Sequence, residues 1–231
     1  MKRFALGAAA LAVTAAGSLA SADVIITEIF YNLSGSEGGA TEWIELHNTG
    51  NTAVDLTGWV YADTQDGQFS DPLPAGSSIA AGGTAIIVAQ SAATFASIWG
   101  PGINVITYTG TLITLANGAS ATNETVAIFD AANNLIDDVN FENATNGWPD
   151  DNLFSSIYLL PSALSSSAND IGSNWANSAV GIDGAYEALI LNPDISNASV
   201  RDVASPGLIP SPGALALLGV GGLVATRRHR A

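Results

Sequence analysis

The chain has 231 residues with 21 Asp and Glu against 6 Lys and Arg, a net charge of −15, and no Cys. Without Cys there is no disulfide scaffold and no thiol chemistry, so a fold outside the cytoplasm must rest on apolar packing. All the acids lie between Asp23 and Asp202, where Arg201 is the only Lys or Arg, and a span so charged repels nucleic acid and anionic headgroups.

Residues 1–22 have a charged start at Lys2 and Arg3, an apolar middle and a small-residue finish. Ala20-Ser21-Ala22 fits the A-x-A cleavage pattern, which predicts a signal peptide removed by signal peptidase and a mature start at Asp23. VIITEIFYN (24–32) is β-branched and aromatic with apolar residues on both faces, as a central strand requires. TEWIELHN (41–48) alternates, with Ile44 and Leu46 on one face and Trp43, Glu45 and His47 on the other. After the turn NTGNTA (48–53) comes VDLTGWVYAD (54–63), and the two runs are expected to pair as an antiparallel hairpin.

TAIIVAQS (84–91) reads as a short buried strand, and SAATFASIWG (91–100) as one or two helical turns stopped by Gly100-Pro101. NVITYTGTLITL (104–115) predicts one or two strands broken near Gly110. ETVAIFD (124–130) and LIDDVNF (135–141) flank AANN, a hairpin loop. SSIYLL (155–160) and AYEALIL (185–191) are the last strand candidates. Short strands with Gly, Asn and Pro turns at near-regular spacing indicate an all-β sandwich.

Three motifs in close order carry a family resemblance. They are Ile26 to Ile29 with Asn32, Glu42 to Leu46 with Asn48, and Asp55-Leu56 with Gly58-Trp59. Together they resemble the lamin-tail domain, and the runs 124–141, SSIYLL and SNWANS (173–178) fit its later segments. The resemblance implies an immunoglobulin-like β-sandwich, a module found in exported and surface proteins with no chemistry assigned to it.

The C-terminus is a Pro-rich hinge, an apolar run and a basic end. From Gly213 to Thr226 is 14 residues, about 21 Å as a helix and short for a ~30 Å hydrocarbon core. Pro210, Ser211 and Pro212, the apolar run, and Arg227, Arg228 and Arg230 resemble a PEP-CTERM sorting signal, with Ser211 where Glu is usual. That resemblance implies processing by an exosortase-type membrane enzyme, with the arginines held on the cytoplasmic side. The plainer reading is a C-terminal anchor.

Catalytic material is sparse. Between the ends there is one His, no Cys and no Lys, and no G-x-S-x-G elbow occurs. His47 reads as a strand-surface residue. Glu28 and Glu45 are the obvious carboxylate pair for glycoside chemistry, but both sit in the family motifs and read as fold residues bonding to turn backbone. Asp63, Asp66 and Asp71 flank Gly67 in DTQDGQFSD (63–71), the best Ca²⁺ candidate, although the spacing is not that of an EF-hand. Asp150-Asp151-Asn152 is a second acidic cluster. For both, the plainer reading is a solvated acidic loop. Trp43, Trp59 and Tyr61 would present a sugar-binding face if exposed; core packing is the plainer reading.

The expectation is therefore an all-β, immunoglobulin-like sandwich of lamin-tail type over residues 23–205. A signal peptide (1–22) precedes it, and a hinge with an apolar helix (206–231) follows. The protein is expected to be exported to the cell envelope, surface or exterior, touching the membrane through its C-terminal segment before processing. Its work is expected to be structural or adhesive and non-enzymatic, on an unidentified envelope or extracellular-matrix component, without nucleic acid. No cofactor is expected beyond a possible Ca²⁺. The alternative is a Ca²⁺-dependent or carbohydrate-binding envelope module.

Overall fold

The computed structural model describes residues 24–34, 39–116, 124–150 and 154–209. The expected signal peptide, the sorting residues Pro210, Ser211, Pro212, Arg227, Arg228 and Arg230, and Asp151 and Asn152 lie outside these residues. Among the described residues no helix is long and apolar enough to cross a membrane.

The strands are β1 (Val24–Phe30), β2 (Trp43–Asn48), β3 (Val54–Asp55), β4 (Val60–Asp63), β5 (Gln68–Phe69), β6 (Ser78–Ile79) and β7 (Thr84–Val88). After helix α1 (Ala92–Trp99) follow β8 (Val105–Thr107), β9 (Glu124–Phe129), β10 (Leu135–Phe141) and β11 (Ile157–Leu159). A short helix α2 (Ser166–Asn169) precedes β12 (Trp175–Asn177), β13 (Tyr186–Glu187) and β14 (Val203–Ala204). One sheet has the order β12-β11-β1-β2-β7-β8 and the other β10-β9-β4-β5. Pairing is antiparallel except between β7 and β8. Mostly β and with few helices, the fold is consistent with an immunoglobulin-like sandwich.

The period of two in β2 sends neighbouring residues into different cores. Ile44 and Leu46 join Tyr61, Val126, Ile128 and Val139 between the two sheets. Trp43 turns to the opposite face, where Phe95, Ile98 and Trp99 of α1 cover it together with Ala188, Ile195 and Ala204. The large sheet is thus covered on both faces, which is why every residue of β1 and β2 is buried. Trp43 packs edge-on against Phe30 (5.4 Å), Phe95 (5.8 Å) and Trp99 (6.3 Å). Helix α1 buries its i, i+3, i+4 stripe and starts where Ser91 Oγ accepts the Thr94 N–H.

The register of β1 shifts between Ile26 and Glu28, so Thr27 is an extra residue opposite β2. Asp137 of the facing sheet accepts the Ile26 N–H at 2.7 Å, and the Asn169 amide donates to the Ile26 carbonyl at 3.2 Å and to Asp137 at 2.7 Å. The irregularity is therefore a point where two sheets and α2 are tied together.

The expected hairpin of 41–48 with 54–63 is not formed. Strand β2 pairs with β1 and β7, β3 with β6, and β4 with β9 and β5. Between β3 and β4 the chain crosses to the second sheet through Gly58, whose φ is 81°, so both runs find an apolar layer rather than each other. The run 104–115 forms only β8, and 185–191 only the two-residue β13. Helix α2 and a 3-10 turn at Gly172–Asn174 stand where the sequence reading has no helix. The hairpin 124–141 forms as expected, as β9 and β10 around a turn in which Asp130 accepts the Ala132 and Asn134 N–H groups.

Candidate functional site

Two acidic pairs face inward. Glu28 and Glu45 are cross-strand partners on β1 and β2, both buried. Glu28 accepts from the Ser156 hydroxyl (2.5 Å), the Ser205 N–H (2.8 Å) and the Ser205 hydroxyl (3.1 Å). Glu45 accepts from the Gly207 N–H (2.6 Å) and the Thr27 hydroxyl (3.0 Å). Burial pushes Glu28 up to about 7, against its hydrogen bonds, and burial together with the charge of Glu28 pushes Glu45 up to about 8. The space beside them, lined by Tyr158, Pro161, Ser205 and Leu208 among others, is about 10 Å³ and admits no sugar. The pair holds the 205–207 segment against the large sheet, the backbone-bonding role expected of it.

The other motif residues act in the same way. Glu42 accepts the Leu115 N–H at 2.7 Å. The Asn48 amide donates to the carbonyls of Thr52 (2.7 Å) and Ala80 (3.1 Å), and its oxygen accepts the Gly50 N–H at 3.0 Å. Asp55 accepts the Thr57 N–H at 2.8 Å.

The second acidic group contains two of the three residues expected from sequence. Asp63 ends β4, and Glu124 opens β9. In the β4–β9 register Asp63 faces Val126, so Glu124, two residues earlier and on the same face, is its diagonal neighbour. Asp66, exposed in the following loop, completes a group whose carboxylate oxygens lie within 4.8 Å of one another. Asp71 does not join it. It is exposed and faces Thr109, whose hydroxyl donates to its Oδ2 at 3.1 Å while its own N–H donates to the Thr109 carbonyl. Glu124 takes its place, brought there by strand pairing rather than by sequence proximity. The signal for it was present: Glu124, Val126 and Ile128 alternate onto one face, which puts an acid in line with core residues.

Asp63 Oδ1 accepts the N–H groups of Gln65 (2.9 Å) and Asp66 (3.2 Å). Its Oδ2 and Glu124 Oε1 are buried without a hydrogen-bond donor. Burial, and then the neighbouring acids, raise Glu124 to about 7, opposed by the Ala116 N–H; burial also raises Asp63.

The remaining candidates are structural. His47 is buried, not on the surface, because β7 runs alongside β2 and Gly83 closes over it; its Nδ1 lies 3.0 Å from the Gly83 carbonyl, and burial lowers its pKa. Trp43, Trp59 and Tyr61 share no exposed face: all three are buried, Trp43 under α1 and the other two between the sheets. A surface cavity of about 470 Å³ is lined by Trp99, Ile103, Asn104, Tyr186, Pro206 and Leu208 among others, with no acid or His among the described lining residues.

Against known proteins, the lamin tail domain family model matches residues 18–143. The chain belongs to that family. No curated protein and no solved structure matches it.

Proposed function

We propose that this lamin tail domain is a non-enzymatic structural or adhesive module, exported and held at the cell surface or released outside the cell. The observation that carries the reading is the use of the family-motif polar groups. Glu28, Glu42, Glu45, Asn48 and Asp55 all accept from or donate to backbone that closes loops. A catalytic carboxylate needs a free oxygen facing a substrate-sized space, and the Glu28–Glu45 pair faces about 10 Å³. What such a domain offers a partner is a rigid acidic surface. The burial of Trp43, Trp59 and Tyr61 removes the aromatic face on which a carbohydrate-binding reading would rest.

Export rests on the sequence of the two ends. Signal peptidase would cut after Ala22. An exosortase-type enzyme would act at the hinge around Pro210-Ser211-Pro212 while Arg227, Arg228 and Arg230 hold the tail at the cytoplasmic face. The partner is a component of the envelope or extracellular matrix.

Two measurements test this. Intact-mass analysis of the cell-derived protein should give a species that starts at Asp23 and has lost the tail from about Gly213; a species still ending at Ala231 leaves a plain anchor instead. Cross-linking in intact cells should join the domain to a surface or matrix component. Recovery only as an uncrosslinked cytoplasmic protein would end the proposal.

A further inference from the structure

We propose that Asp63, Asp66 and Glu124 bind one Ca²⁺ ion at the rim of the sandwich, clamping the 64–67 loop to the β4–β9 sheet. A cluster of acids alone would not support this, since exposed carboxylates gather without any ion. The distinguishing feature is burial without donors. Asp63 is 0% exposed and Glu124 3%, yet among the described residues Asp63 Oδ2 and Glu124 Oε1 have no hydrogen-bond donor. Oxygens of the two groups lie within 4.8 Å of each other, and two ionised carboxylates present only acceptors. Such an arrangement needs positive charge between the oxygens, a proton or a cation.

No Lys or Arg among the described residues supplies it. Among the described residues the only Lys or Arg, Arg201, is paired with Glu187 on β13. A third buried oxygen, the Tyr61 hydroxyl, also lacks a partner among the described residues. A single ion answers the geometry. Oxygens of all three carboxylates lie within 4.8 Å of one another, close to the separations of oxygens that share an ion at ~2.3–2.6 Å. Oxygen-only ligands select a hard cation. The longer Ca²⁺–oxygen distance and its tolerance of irregular geometry suit a site with two fixed ligands and one on an exposed loop, whereas Mg²⁺ at ~2.0–2.1 Å demands a near-ideal octahedron. Water on the loop side would complete the shell.

The site differs from a sequence-local loop because its ligands come from two strands. Ca²⁺ therefore stabilises the tertiary fold as well as the loop. Glu124→Gln is a discriminating variant: its amide supplies the missing donor opposite Asp63, so the fold should survive without the ion. Asp66→Asn alters an exposed loop side chain and leaves the core untouched.

The test is thermal unfolding of the full chain, stripped with EDTA, in CaCl₂, MgCl₂ and NaCl at matched ionic strength. Ca²⁺ should raise Tm saturably, by roughly 5–10 °C at a hundredfold excess over Kd, with a smaller rise in MgCl₂. Tb³⁺ should show luminescence sensitised through the nearby Tyr61 and displaced by Ca²⁺. Glu124→Gln should abolish both responses, and Asp66→Asn should weaken Ca²⁺ binding at least tenfold. A Tm that follows ionic strength alone would overturn the site and assign the Asp63–Glu124 pair to a shared proton. A saturable response that persists in both variants would overturn it equally, placing the ion elsewhere.

Discussion

The Glu28–Glu45 pair and the Asp63–Glu124 pair are built from the same chemistry and meet different ends. Each joins two carboxylates from neighbouring strands on an inward face, and each has raised pKa values because burial penalises the charge. The first pair lies in mid-sheet under the 205–207 segment, and Ser156, Ser205, Gly207 and Thr27 direct donors at it. The second lies at the rim, where the chain provides the N–H groups of Gln65, Asp66 and Ala116 and then leaves one oxygen of each acid unanswered. A buried acid is thus a staple where the fold supplies donors, and a demand for external positive charge where it does not.

The largest test of this contrast is to remove the staple. Glu28→Ala leaves the Ser205 N–H and the Ser156 and Ser205 hydroxyls buried without their acceptor, and it frees the end of the large-sheet cover. Losing several buried bonds to one carboxyl should cost about 3–5 kcal/mol, read as a fall in the denaturation midpoint. A loss below about 1 kcal/mol would mean that water replaces the carboxylate and that the pair does not hold the segment.

The next effect is on pH dependence. Glu28 and Glu45 stand at about 7 and 8 when folded against an ordinary 4.5, and Asp137 and Asp202 at about 7 and 6 against 3.8. A raised folded pKa means that the folded state keeps protons the unfolded chain has released, so stability falls as pH rises. The contribution of these groups is intact below the unfolded values and is lost as pH climbs through about 6 to 8. Tm in EDTA should therefore drop by several degrees from pH 5 to pH 8.5, and Glu45→Gln should flatten the upper part of that slope. A Tm that rises over this range would show that the hydrogen bonds outweigh burial and that the pair is ionised throughout.

A smaller loss is expected at the β1 irregularity. Asp137→Ala removes the acceptor of the Ile26 N–H and one partner of the Asn169 amide. It should cost about 2–3 kcal/mol, again read from the denaturation midpoint. An unchanged midpoint would show that the Ile26 backbone is solvated rather than bridged by the facing sheet.

Local pattern made much of this legible. β-branched density gave β1, alternation separated Trp43 from Ile44, the AANN loop gave the β9–β10 hairpin, and the run stopped by Gly100-Pro101 gave α1. Pairing partners were hidden. Nothing in 41–63 says that β2 and β4 belong to different sheets, because an alternating strand is content with any apolar layer on its inward side. The donors of the staple were hidden for the same reason: Ser205 and Gly207 are ordinary coil residues until the chain folds back over β1 and β2. The acidic loop was half legible. Asp63 and Asp66 are close in sequence, whereas Glu124 reaches them only through the β4–β9 register.

That substitution of Glu124 for Asp71 gives the smallest and most diagnostic prediction. Asp71 is close in sequence to Asp63 and Asp66, yet its carboxylate is exposed and occupied by the Thr109 hydroxyl. Its backbone N–H, which an Asn would retain, makes the bond to the Thr109 carbonyl. Asp71→Asn keeps the shape and an oxygen that can accept from Thr109, so stability should change by less than about 0.5 kcal/mol. The Ca²⁺-dependent rise in Tm should equal that of the unaltered protein, while Glu124→Gln loses it. The two variants, compared in one melting series, separate a loop site from a sheet site. If Asp71→Asn removes the Ca²⁺ response and Glu124→Gln keeps it, the ion is held by the contiguous loop, and the unanswered oxygens of Asp63 and Glu124 share a proton.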